Sequence, residues 1–130
     1  MEFLHPPGWP RAKGYSNGVA ATGRTICVSG MIGWDADGVF QTDDFAGQVR
    51  QALENIVAVL AEGGARPEHI VRMTWYVVDK KEYLDAAREV GAAYRDLIGK
   101  HYPAMSAVQV AALIEDRARV EIEVTAIVPE

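Results

Sequence analysis

The chain has 130 residues, 49% hydrophobic and 24% charged, with a formal net charge of −5. That length fits one domain, the composition fits a globular chain, and the acidic balance argues against phosphate-backbone binding as the main task of the surface. No run approaches the roughly 18 apolar residues of a membrane span, and the single cysteine, Cys27, excludes an intrachain disulfide and fits a reducing, cytoplasmic setting.

Residues 1–14 hold Pro6, Pro7, Gly8, Pro10 and Gly14 and read as an irregular leader. Its first seven residues carry neither the basic n-region nor the apolar h-region of a secretory signal. Residues 19–22 and 25–29 flank Gly23-Arg24 and read as a β-hairpin. Cys27 lies in the second run and is expected to be a small buried side chain, because no histidine stands near it in sequence to activate a thiolate. Residues 30–38 form a loop with Asp37-Gly38 as its turn signal.

Thr42, Asp43 or Asp44 then caps a helix whose Phe45, Val49, Leu53, Ile56 and Leu60 share one face. Gly63-Gly64 ends it. Residues 70–79 alternate as a strand, and both alternating sets are apolar enough that both faces are expected to be covered. A second helix runs from about Lys81, with Leu84, Ala87, Val90, Gly91, Tyr94, Leu97 and Ile98 as its stripe and Gly99 as its stop. Two strands, 106–113 and 118–128, joined by the polar turn 114–117, close the chain as a terminal hairpin.

The order β-β-α-β-α-β-β predicts a single α+β domain over residues 1–130, with two helices on one face of a mixed sheet. The sheet's other face has nothing in the chain to cover it, which predicts a partner. A closed ring of identical subunits is the common solution.

Two stretches carry the chemistry: Tyr102-Pro103-Ala104-Met105-Ser106 and Val120-Glu121-Ile122-Glu123. Glu121 and Glu123 fall on one face of a strand, where a carboxylate is costly to bury unless something uses it. Taken alone, an exposed polar residue on an alternating strand is the ordinary reading. The histidines His5, His69 and His101 have no ligand-like spacing, and His101 reads as a surface residue. No phosphate-binding loop, dinucleotide fingerprint, nucleophile triad or zinc pattern is present, so neither a cofactor nor a metal is expected.

These motifs, in this order, resemble the RidA/YjgF family, also called the endoribonuclease L-PSP family. Residues 13–19, Lys-Gly-Tyr-Ser-Asn-Gly-Val, resemble the family's Gly-Pro-Tyr-Ser segment, and residues 28–32, Val-Ser-Gly-Met-Ile, its Ser-Gly-Gln loop. Residues 48–60, with Asn55-Ile56, resemble its first helix. Pro103-Ala104-Met105-Ser106 stands where the family has Pro-Ala-Arg-Ser, and residues 120–123 match its closing strand.

The resemblance implies a chorismate-mutase-like fold, a homotrimer, and small-molecule ligands held in clefts between subunits. It implies cofactor-free hydrolysis of enamines and imines, with Glu121 positioning the attacking water and Tyr15, Ser29, Gly30, Ser106 and Ala107 shaping the pocket. Met105 departs from the pattern. The family's arginine at this position binds a substrate carboxylate, and a thioether supplies neither charge nor a paired donor. Met31 likewise stands where the family often has glutamine, and Trp34 follows three residues on. If Met31, Trp34 and Met105 line one cleft, it favours a flat or apolar ligand. An altered hydrolase is the first reading; the alternative is a trimer that binds or senses a metabolite without turning it over.

Overall fold

The computed structural model describes residues 1–130. A four-stranded sheet forms from β3 (Arg24–Ile32), β4 (Ile70–Val77), β5 (Ala104–Gln109) and β6 (Val120–Val128), in the order β3-β6-β4-β5. β6 runs antiparallel to both β3 and β4, whereas β5 runs parallel to β4. The helices α1 (Phe45–Glu62), α2 (Lys80–Asp85) and α3 (Ala87–Leu97) complete the domain, which is the expected mixed sheet with helices on one face.

The long helix forms where its caps and stripe place it. Asp44 accepts a hydrogen bond from Gly47 N at 2.8 Å and satisfies one of the free N–H groups of the first turn. Gly64, at φ +73°, takes the left-handed position after the last turn. Between these ends Val49, Leu53, Ile56 and Leu60 are fully buried. They pack on the inner residues of the sheet, Met73, Val120, Ile122 and Ala126, which are also fully buried.

Several expectations fail, for identifiable reasons. The hairpin across Gly23-Arg24 does not form. Instead β1 (Glu2–Leu4) lies within the supposed irregular leader and pairs antiparallel with β2 (Gly18–Ala20) in a separate ribbon. The strand after Gly23 pairs with β6, because Gly23 sits against the Val128 carbonyl and brings Arg24 opposite Val128. The terminal hairpin is also absent. β4 lies between β5 and β6, so the segment after β5 crosses a neighbouring strand. The second helix breaks at Ala86 into α2 and α3, and Leu84 of the proposed stripe is exposed while Tyr94 and Ile98 are buried.

β4 was expected to be covered on both sides. Met73, Trp75 and Val77 are buried under the helices, while Arg72 is exposed and Thr74 and Tyr76 are half-buried on the bare face. That bare face mixes apolar and charged groups. Cys27, expected inside, is exposed, because alternation turns Val28 and not Cys27 toward the core.

Candidate active site

Strand alternation divides the predicted site residues between the two faces of the sheet. Glu121 pairs in register with Tyr76, and Glu123 with Thr74, so both carboxylates lie on the bare face and are half-buried. Gly30 sits in the bulge of β3 directly against Glu121. A Cβ on Gly30 would lie 2.8 Å from Glu121 Cγ and collide with its carboxylate. Only glycine allows the acid and this backbone to meet so closely. Ser29, beside it, is exposed.

Glu123 does not pair with Arg72 or Arg119, the two partners its sequence position offered. The Tyr76 hydroxyl donates to Glu123 Oε1 at 2.6 Å, and Arg119 pairs with Glu82 at 3.2 Å. The hydrogen bond to Glu123 raises the Tyr76 hydroxyl above the usual phenol range, with desolvation and the charges of both glutamates adding to it. Tyr76 is therefore a donor that holds Glu123 in place. Glu121 has no such partner, so its oxygens are available to a water or ligand.

Met105 lies on the other face. It is opposite Met73 in the parallel register, and Ala107 is opposite Trp75, whereas Ser106 faces the bare side with Thr74. Under the helices a cavity of about 370 Å³ is lined by Met105 together with Trp75, Tyr83, Val90, Tyr94 and Tyr102. Tyr94 and Tyr102 stack with ring centroids 5.5 Å apart. Burial pushes the Tyr94 hydroxyl far up, and it donates to the His101 carbonyl. Trp75 is 3% exposed, and its Nε1 is the one buried side-chain polar atom with no partner. An unmet donor of this kind costs about 1–3 kcal/mol.

The segment carrying Tyr15 is zipped onto the start of β5. Ser16 N donates to the Pro103 carbonyl at 3.0 Å, and the Ser16 hydroxyl to the Tyr102 carbonyl. This places Gly14 on the rim of the Met105 cavity, while the Tyr15 ring lines a separate hollow with Phe3 and Trp9. His101 is not a surface residue. It is half-buried, packs edge-on to Phe3, and its Nε2 donates to the Ile70 carbonyl at 2.6 Å. Because a carbonyl only accepts, that nitrogen carries the proton.

Met31 packs against the core, and Trp34 stacks obliquely on Phe40 at 5.9 Å. Both belong to the β3 end of the sheet, and β3 and β5 are opposite edges, three strand spacings or about 14 Å apart. Met31, Trp34 and Met105 therefore do not line one cleft within a chain. Two positioning residues carried no site signal in the sequence. Asn55 donates to the Ile32 and Trp34 carbonyls at 3.1 and 2.8 Å, fixing the exit of the strand that carries Gly30. The buried Gln48 bonds to Thr42 O, Arg117 O and Arg119 N, tying α1 to the start of β6.

The fold is a small α+β domain with an unpaired carboxylate backed by glycine on one face of its sheet and an aromatic cavity on the other. The chain belongs to the endoribonuclease L-PSP family, the RidA/YjgF family, whose profile matches residues 9–128. It is 32% identical to the human protein named 2-iminobutanoate/2-iminopropanoate deaminase over 119 residues, covering 91% of this chain and 83% of that one. Its identity to the Salmonella typhimurium protein of the same name is 34%, over 81% of this chain and 80% of the other. Among solved structures, the Rid-family protein YyfB from Yersinia pestis superposes with a TM-score of 0.84 at 30% identity, covering 98% of both chains. Escherichia coli TdcF with bound serine gives a TM-score of 0.69 at 28% identity, over 98% of this chain and 99% of that one. No helix is long and apolar enough to cross a membrane.

Proposed function

We propose that this chain hydrolyses reactive imines or enamines to carbonyl compounds and ammonia, on substrates more apolar or aromatic than its relatives' because Met105 replaces the carboxylate-binding arginine. The observation that carries the reading is Glu121, unpaired, half-buried and in contact with the Gly30 backbone. Glu121 orients a water against the imine carbon. As the new C–O bond forms, the π pair of C=N moves to nitrogen and Glu121 takes a proton from the water. Glu121 then returns that proton to nitrogen. Glu121 then passes the proton of the carbinol hydroxyl to the same nitrogen, the oxygen pair forms C=O as the C–N bond breaks, and carbonyl and ammonia leave; an enamine enters the sequence after tautomerising to its imine. Imine and water balance carbonyl and ammonia with no change in oxidation state, so the chemistry requires no redox cofactor.

The placement of Glu121 and Met105 on opposite faces supports a site shared between chains, in clefts of a homotrimer. One copy would present Glu121 and Gly30, and its neighbour Met105 and the backbone at Ala107. Met105 also favours a second reading, a trimer that binds a metabolite without turnover. Ammonia release from a panel of aliphatic and aromatic imines separates the two. The hydrolase reading expects turnover in the wild type that falls by about 100-fold or more in Glu121→Ala. Unchanged turnover in that variant removes the mechanism, and no turnover on any imine leaves the binding protein. A monomer in sedimentation at micromolar concentration removes the shared site.

A further inference from the structure

The cavity under the helices contains a cation that has no partner in the protein. Arg95, on α3, lines it together with Met105, Trp75, Tyr83 and Tyr102. Five other basic residues of the chain are committed to ion pairs: Arg50, Arg66, Lys81, Arg117 and Arg119. Arg95 makes none, and its acidic neighbour Asp96 is taken by Arg50 at 2.8 Å. The guanidinium folds back over Gly91, where a Cβ would lie 3.2 Å from Nη1, so the absence of a side chain at 91 leaves it room along the cavity wall.

The remaining lining is aromatic, thioether and aliphatic, with Leu84, Ala87 and Val90 beside the rings. Such walls accept a flat ring, with tyrosine hydroxyls as the polar groups among them. Trp75 contributes its ring to this wall, while its unpaired indole N–H is buried away from solvent. A cavity of about 370 Å³ is of the size that encloses a small organic ligand. An unpaired cation at the wall and an apolar, largely aromatic body together specify a compact aromatic carboxylate. An arginine fork pairs with a carboxylate bidentately.

We infer that this cavity binds monoaryl carboxylates, with Arg95 holding the carboxylate that position 105 no longer holds and the ring lying against Met105 and the aromatic walls. The inference names the substrate class of the proposed reaction, and rests on that reading only in making Met105 part of the reacting site.

Binding can be measured without turnover. The full-length protein is titrated calorimetrically with benzoate and phenylpyruvate, with pyruvate as a carboxylate lacking the ring and benzamide as a ring lacking the charge. The indole N–H signals are followed by NMR, and Trp75→Phe identifies the signal that belongs to this cavity. The ring carboxylates are expected to bind more tightly than pyruvate and to shift the Trp75 signal. Arg95→Gln is expected to weaken the ring carboxylates by about tenfold or more while leaving benzamide unchanged. Because Arg95 is exposed, this substitution leaves the core intact. Equal affinity in Arg95→Gln, or pyruvate binding as tightly as benzoate, overturns the inference. Binding as expected with no turnover of any imine supports the cavity assignment and removes the hydrolase. Turnover of small aliphatic imines with no binding of ring carboxylates does the reverse.

Discussion

The two faces of the sheet are made by the same strands and obey opposite rules. Under the helices, Met73, Val120, Ile122 and Ala126 are fully buried, and an aromatic cavity opens beside Met105. On the bare side the intervening residues are Arg72, Thr74, Tyr76, Glu121 and Glu123, with one hydrogen bond from Tyr76 to Glu123. A step of one residue along a strand moves a side chain from one regime to the other. The consequence for function is that Glu121 and Met105, which family resemblance assigns to one site, are separated by the sheet itself.

The strongest way to break this contrast is to compare truncations on each side. Leu53 is fully buried against the helix face, and Leu53→Ala is expected to cost about 2–5 kcal/mol. Thr125, half-buried on the bare face opposite Cys27, has no such environment, and Thr125→Ala is expected to stay within about 0.5 kcal/mol. Urea unfolding at several protein concentrations measures both, since assembly adds a concentration-dependent part to stability. Equal losses would mean that the bare face is packed as tightly as the core in the assembled protein.

A smaller effect is expected where the two regimes are joined. Asn55 reaches from α1 to the Ile32 and Trp34 carbonyls, and through them fixes the strand end next to Gly30 and Glu121. Asn55→Ala leaves both carbonyls without this donor and is expected to cost about 1–3 kcal/mol of stability. Ammonia release is expected to fall less than in Glu121→Ala, because the carboxylate itself remains. A variant with wild-type stability would show that the loop carries its own order.

What the sequence made legible follows physical range. The helix α1 was readable from a single stripe and its caps, because the stripe recurs every three or four residues and Asp44 and Gly64 each act within the turn they end. The pairing of β3 with β6, and of β1 with β2, was not readable. Partner choice depends on which distant edge is free, and Gly23 gives no hint that Val128 will occupy it. The site divides in the same way. Glu121 and Met105 stood out from motif position, and alternation alone would have predicted that Glu121 and Glu123 share a face. That Tyr76 would engage Glu123, or that Arg95 would line the cavity of Met105, depends on register and helix packing, which no local pattern records.

The finest test of the bare face uses pH. The hydrogen bond from Tyr76 to Glu123 raises the Tyr76 hydroxyl above its usual value, with desolvation and the two glutamate charges adding to it and Arg72 opposing. A group whose pKa is raised in the folded state keeps its proton where the unfolded chain has released it. Its contribution is therefore complete below the unfolded value of about 10 and is lost as pH rises through the higher folded value. Stability should decline above about pH 10, and Tyr76→Phe should flatten that part of the decline. Because Tyr76 lies near the surface of the single chain, the effect is small unless neighbouring copies enclose it. Urea midpoints from about pH 8 to about pH 12, measured on both proteins, decide the matter. Parallel alkaline declines would mean that Tyr76 does not hold Glu123 in solution, and the contrast between a committed Glu123 and a free Glu121 would be lost with it.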